Sequence, residues 1–217
     1  MTTTKNKNLD APYGVETRSY ECNITTRSDD KHGDVIEGLP IVFDSVANIG
    51  GGWYETIARG ALDNCDLKDV MLLVNHERGS IPLARSRNNN DNSTMQLSIE
   101  KDGLHIRADI DKENPKGAEL LSAVKRGDIT GMSFGFIVDK DEWKDLDSTM
   151  PTRTITSIRK VVEVSAVNNP AYEATSISSR SLEVAREALE SERSALEKAK
   201  EDARIRAEIM ARLQKKD

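Results

Sequence analysis

A chain of 217 residues with 37% apolar, 31% charged and only 4% aromatic side chains can bury a sizeable core, enough for one domain with an appendage. Its 31 basic and 37 acidic residues leave a net charge of −6, which argues against non-specific binding to nucleic acid or to an anionic membrane. The longest apolar run, Val70 to Val74, is far too short to span a bilayer, and Met1-Thr-Thr-Thr-Lys-Asn-Lys lacks the apolar core of a secretory signal. Cys22 and Cys65 form no CxxC and read as incidental thiols of a reducing compartment.

Residues 1–15 are polar and without periodicity, which predicts a mobile tail. Residues 16–178 hold the apolar alternation. Tyr20, Cys22 and Ile24 alternate with polar residues and predict a strand; a short helix follows near Gly60-Ala61-Leu62. Val70 to His76 reads as a buried strand, with Val70, Leu72, Val74 and His76 on one face. The Asn-rich stretch Arg85 to Thr94 predicts a long loop. Leu97 and Ile99, then Leu104, Ile106, Ala108 and Ile110, predict a hairpin, with Asp102-Gly103 as a type I′ turn. Pro115 to Arg126 predicts a helix stopped by Gly127. Ile129 to Val138 and Val161 to Val167 predict strands, separated by a charged loop, Asp139 to Arg153, that carries Trp143. Many short strands with few helices define a mainly β, α+β class, built as a barrel or sandwich with helical decorations.

Residues 179–217 form the appendage. From Ser181 onward there is no Gly or Pro, and nine basic and nine acidic side chains cancel, so the whole −6 lies on the first 180 residues. Ala, Leu, Glu, Lys and Arg dominate, and Arg186–Glu190, Arg193–Glu197, Asp202–Arg206 and Glu208–Arg212 stand one turn apart, which predicts a helix. Leu182, Leu189, Leu196, Ala203 and Met210 recur every seven residues, but Ala185, Glu192, Ala199 and Arg206 do not supply a second apolar seam. A helix of this length extends roughly 55 Å, too long to bury itself on a small domain, and favours a partner-binding or assembly role over a merely solvated one.

Several chemistries are excluded. No GxxxxGK[ST] is present, and Gly50-Gly51-Gly52 leads into Trp53-Tyr54-Glu55 rather than a helix. His76-Glu77 starts like a zincin motif, but position 80 is Ser. The three histidines, His32, His76 and His105, have no ligand spacing to one another or to a cysteine, so neither metal nor cofactor is expected.

Gly131-Met132-Ser133-Phe134-Gly135 fits the nucleophile-elbow pattern, but a strand rather than a helix follows the serine, and no histidine lies beyond residue 105. A serine mechanism must therefore take its base from upstream. Ser133 shares a strand face with Gly131 and Gly135, which either leaves room for a substrate backbone or tolerates a serine on a tight face. His76, at the end of its apolar row, is better sited as base than His105, which points outward from its strand, or His32, which lies in a turn. Glu163 interrupts the apolar strand Val161 to Val167; it either meets a partner such as an imidazole or points to water from an edge strand.

Six segments in order resemble the prohead maturation proteases of tailed bacteriophages: Glu37 to Asp44; Glu55 to Ala61; Leu73-Val74-Asn75-His76-Glu77 with Pro82-Leu83; Asp102-Gly103-Leu104; Gly127 to Phe136; and Glu163 to Ala171. The resemblance implies a serine endopeptidase with a closed β-barrel of the herpesvirus-assemblin type over residues 16–178, and a charged C-terminal assembly helix over 179–217. It implies His76 as general base, Ser133 as nucleophile and Glu163 as the acid that orients His76, all three meeting around one hydroxyl. Ala84 departs from the glycine usual after Pro-Leu, and His105 is the stand-in third member, since the herpesvirus enzymes use a histidine there. The implied partners are the major capsid protein with its scaffold segment, and the protease itself as a self-processing homo-oligomer, inside the assembling procapsid of the host cytoplasm. Neither nucleic acid nor membrane is implied. The rival reading is a capsid-assembly scaffolding protein that acts through its C-terminal helix without proteolysis.

Overall fold

The computed structural model describes residues 14–22, 24–29, 33–50, 52–170 and 176–213. The chain divides into two compact units, residues 1–178 and 179–217. The expected tail over 1–15 lies almost wholly outside the described residues, as does His32.

In chain order the first unit has strands β1 (Glu16–Glu21), β2 (Thr25–Asp29), β3 (Gly33–Val42), β4 (Ala47–Ile49) and β5 (Trp53–Ile57). Next come β6 (Met71–Val74), β7 (Ala84–Arg85), β8 (Met95–Ile99) and β9 (Gly103–Ile110), then helix α1 (Pro115–Arg126). The long strands β10 (Gly131–Lys144) and β11 (Thr152–Val167) close the unit, and helix α2 (Ser176–Leu213) makes up most of the second. The described residues are therefore mostly β with two α-helices, an α+β architecture. No helix among the described residues is long and apolar enough to cross a membrane.

The strands form two sheets. One runs β1-β10-β11-β5-β4, with β6 also on β11 and β7 on β6; the other runs β2-β3-β9-β8. β11 pairs antiparallel with β10 along most of its length, and on its other side parallel with β5 at Thr152–Ile155 and with β6 at Glu163–Ala166. The β10–β11 ladder slips register four times between Gly135 and Asp141. One apolar core serves both sheets: Ile36 and Ile41 of β3, Leu104 and Ile106 of β9, Phe134 and Phe136 of β10, and Val164 and Ala166 of β11. Each Ile, Leu, Phe and Val among them contributes about 1.5–3 kcal/mol by leaving water, Ala166 less. This core holds β10 and β11 side by side, and the site is built on their other face.

Helix α1 has the expected ends. The Asn114 side chain accepts a hydrogen bond from the Lys116 N–H at 3.1 Å, Pro115 opens the first turn, and Gly127 ends the helix at φ 78°. Elsewhere the expectations need correction. The strand expected across Tyr20, Cys22 and Ile24 breaks at Cys22, between β1 and β2. No helix forms at Gly60-Ala61-Leu62, where successive turns bond Ala61 N–H to Ala58 O and Asp63 N–H to Gly60 O. The β8–β9 hairpin exists, but positive φ is confined to Gly103, so its turn is not type I′ at Asp102-Gly103. The expected loop Asp139 to Arg153 shrinks to 145–151, because β10 and β11 carry their charges on through the sheet. Asp141 and Arg153 look like loop residues only until their ion pair is seen.

Candidate active site

The strand β6 ends at Val74, two residues before the histidine it was expected to carry in its row. Asn75 and His76 both adopt left-handed backbone, with φ 46° and 60°, and Glu77 N–H bonds Val74 O at 3.0 Å. Two consecutive positive φ values inside such a bond are the pattern of a type I′ turn. Left-handed backbone costs roughly 1–2 kcal/mol per residue, least for asparagine. The turn is tied down from β11: Asn75 N–H donates to Ala166 O at 3.0 Å, and His76 N–H to the Ser165 hydroxyl at 3.2 Å. Its effect is to take the imidazole off the core side of β6 and set it over β11.

There the imidazole meets Glu163. His76 Nδ1 lies 2.7 Å from Glu163 Oε1. A carboxylate only accepts, so the ring donates from Nδ1; in the neutral imidazole that tautomer leaves the lone pair on Nε2. Glu163 is fully buried, His76 27% exposed on its side chain. The other carboxylate oxygen, Oε2, accepts from the Ser165 hydroxyl at 2.7 Å, and Arg78 Nη2 stands 3.7 Å from Oε1. A buried charge needs such compensation, and Glu163 has a partner on each oxygen.

Ser133 lies one strand over. It pairs directly with Ser165 across the β10–β11 ladder and with Ser19 across the β1–β10 ladder, so three serines form a row on the face that Glu163 shares. Ser133 is fully buried; its hydroxyl donates to the Arg18 carbonyl at 2.7 Å and accepts from Ser19 Oγ at 3.0 Å. The structure thus brings His76 and Glu163 into contact and sets Ser133 one strand over, on the face that Glu163 shares; the serine hydroxyl bonds β1 and not the imidazole, so the three groups do not meet around it as expected.

Gly135, next on the same face of β10, has a specific reason to lack a side chain. A Cβ there would stand 2.6 Å from Glu163 Oε1 and 2.7 Å from Arg78 Nη2. The room expected for a substrate backbone is occupied by the carboxylate and the guanidinium. Sequence reasoning passed over Ser165, Ser19 and Arg78. For Ser165 a signal was present, since Glu163 and Ser165 two apart in a strand share a face.

The core-facing side of the same strands holds five buried charges. Arg18 reaches Glu55 Oε1 at 2.5 Å and Glu16 Oε2 at 2.7 Å. Arg153 reaches Glu16 Oε2 and Asp141 Oδ2, each at 2.7 Å, and Glu55 Oε2 at 3.1 Å. Burial works against the charge of Glu16, yet Arg153 and Arg18 hold its carboxyl below the usual carboxylate range. Burial likewise opposes the charge on Arg153, but Glu16, Glu55 and Asp141 push it up, so both guanidinium groups stay protonated.

The rival histidine is elsewhere. His105 sits on β9 in the other sheet, its Nε2 2.8 Å from Asp102 Oδ1. With Glu100 and Asp102 it makes a group of three metal-type ligands among the described residues, the two carboxylates exposed and His105 half-buried. Both cysteines are free and half-buried; burial raises the Cys65 thiol to about 11, which keeps it protonated.

An imidazole held by a carboxylate, one strand from a serine, can serve acyl transfer if the serine hydroxyl turns to the ring. The chain belongs to the caudovirus prohead serine protease family, whose model matches residues 22–188. It is similar to the prohead protease of Enterobacteria phage HK97, with 28% identity over 76% of this chain and 68% of that protein. Among solved structures it is similar to the bacteriophage T4 capsid assembly protease, gp21, with TM-score 0.42 and 13% identity over 70% of this chain and 96% of that one. It is a serine protease of the phage prohead class.

Proposed function

We propose that the protein is the endopeptidase that matures a phage prohead, cutting the scaffold segment of the capsid protein and itself, with His76, Ser133 and Glu163 as its machinery. The observation that carries this reading is the 2.7 Å contact of His76 Nδ1 with Glu163, one strand from Ser133. In the reaction Ser133 turns about χ1 from the Arg18 carbonyl towards His76. Nε2 takes the hydroxyl proton as Oγ attacks the scissile carbonyl, and Glu163 stabilises the imidazolium that results. The imidazolium returns the proton to the leaving amine as the C–N bond breaks. Water, activated by the same Nε2, then hydrolyses the acyl-enzyme and restores Ser133. Arg78, at 3.7 Å, steadies the negative charge of Glu163 throughout.

In the same reading residues 16–178 are the protease domain, and the two sheets are the halves of an assemblin-type barrel around their common core. The second unit serves assembly. Its helix exposes Leu196, Ile205, Ile209 and Met210, apolar groups suited to a scaffold helix or a second copy inside the assembling shell.

Co-expression of the protein with the capsid protein of its phage tests the mechanism. Ser133→Ala is expected to abolish processing, a loss of at least about 10⁴-fold, and Glu163→Gln to cut it by about 10³–10⁴ with the fold retained. A fluorophosphonate should label the wild type at residue 133, located by mass spectrometry. Processing that continues in Ser133→Ala would overturn the serine mechanism and leave the scaffolding reading. That reading predicts in turn that truncation after residue 180 stops capsid assembly even where cleavage survives.

A further inference from the structure

Ser165 makes two side-chain hydrogen bonds, one to each member of the His76–Glu163 pair. Its side chain is fully buried, directly opposite Ser133. Its oxygen accepts the His76 N–H at 3.2 Å, and its single proton goes to Glu163 Oε2 at 2.7 Å. A hydroxyl has one hydrogen to give, so committing it to the carboxylate fixes both the rotor and the carboxylate plane. The accepted N–H belongs to the residue whose ring must meet Oε1, and that residue has left-handed backbone, φ 60°. One hydroxyl therefore grips the imidazole from its main chain and from its carboxylate partner at once. Removal of its proton frees Glu163 to rotate about the bond that now aims Oε1 at Nδ1.

We propose that Ser165 is a positioning residue for acyl transfer, its hydroxyl clamping the main chain of His76 and the carboxylate of Glu163 so that the ring presents Nε2 to Ser133 in one orientation. The inference rests on the His76–Ser133–Glu163 reading and adds a fourth member that touches no substrate. Two others beside Glu163 do not share the role. Arg78 is 41% exposed on its side chain and 3.7 Å away, and Ser19 bonds the serine rather than the histidine.

The full chain and its Ser165→Ala and Ser165→Thr variants are compared by the rate of fluorophosphonate labelling at Ser133, a probe that needs no knowledge of the cleavage sequence. Displacement of the imidazole by about 1 Å is expected to slow labelling about 10²-fold in Ser165→Ala. Threonine, which keeps the hydroxyl, restores it to within about threefold. The second readout is the Nδ1–H proton resonance of His76, followed in the Ser133→Ala background where no reaction occurs. It should broaden or move upfield on adding Ser165→Ala and remain on adding Ser165→Thr, with thermal unfolding checking that both variants are folded. Labelling at the wild-type rate in Ser165→Ala overturns the proposal, and so does slow labelling with an unmoved Nδ1–H resonance. Failure of the underlying mechanism reads differently, as a wild type that takes no label at Ser133.

Discussion

The strands β1, β10 and β11 carry polar groups on both faces, and the two sets are built to opposite ends. Towards the core, Arg18 and Arg153 lie between Glu16, Glu55 and Asp141, and all five are sealed from water. On the far face, His76, Glu163, Ser165, Ser133 and Ser19 make fewer bonds, and His76 Nε2 has no hydrogen-bond partner among the described residues. The first set is saturated and therefore inert; the second leaves one ring nitrogen open on the face that carries the serine row. The sets meet in Arg18, whose guanidinium belongs to the sealed cluster and whose carbonyl holds the Ser133 proton. The sealed cluster thereby fixes the strand against which the serine rests. A burial-driven ion cluster brings little net stability compared with apolar packing, but removing one member is costly because the others stay buried and unpaired.

The comparison can be broken at its strongest point with Arg153→Met. Glu16 and Glu55 then share the one guanidinium of Arg18 while Asp141 loses its bond to Arg153, and unfolding in urea should show a loss of about 3–5 kcal/mol. A loss below about 1 kcal/mol would mean that water reaches the cluster and that the two faces do not differ as described. Gly135→Ala probes the other face. Its Cβ must push Glu163 or Arg78 aside, so fluorophosphonate labelling should fall about 10–100-fold while the urea midpoint barely moves. Equal damage to stability would show that the site face is packed as tightly as the core face. The smallest effect is expected from pH. Glu16 is held below its unfolded value, so its contribution is whole above about pH 5 and drains away as pH falls through its folded value. Thermal unfolding followed against pH should show this loss in the wild type, and a shallower fall in Glu16→Gln.

These two faces were unequally legible. The discomfort of Glu163 in an apolar strand could be seen, because one carboxylate among valines has to be compensated, and the structure sets an imidazole against it. The five-charge cluster left no such trace. Glu16 and Arg18 precede any apolar row, and Asp141 and Arg153 lie in a charge-rich stretch that reads as loop until the partners are brought together. Glu55 alternates with Trp53 and Ile57, all three buried, yet an alternating pattern names a buried face without saying that a charge belongs on it. Local rules did best where the interaction is local. Helix α1 is bounded by Asn114 with Pro115 and by Gly127, each acting within one turn. The Asn75-His76 turn was locally signalled as well, since both residue types tolerate left-handed backbone better than most, but the apolar row of β6 suggested a strand that ran on.

A last consequence follows from the slips in the β10–β11 ladder. Arg153 and Glu163 are ten positions apart, an even interval that would put them on one side of a regular strand. Instead the inward positions step through Arg153, Ile155, Ile158, Val161 and Val164, and by Glu163 the ribbon has rolled half over on its long axis. One strand can thus serve a dry ionic knot at its start and the carboxylate that holds His76 near its end. Deleting a single residue between Thr156 and Val162 would undo the roll. The acid would then turn into hydrocarbon and Val164 would emerge beside the serine, an inversion no side-chain exchange in that stretch could reproduce.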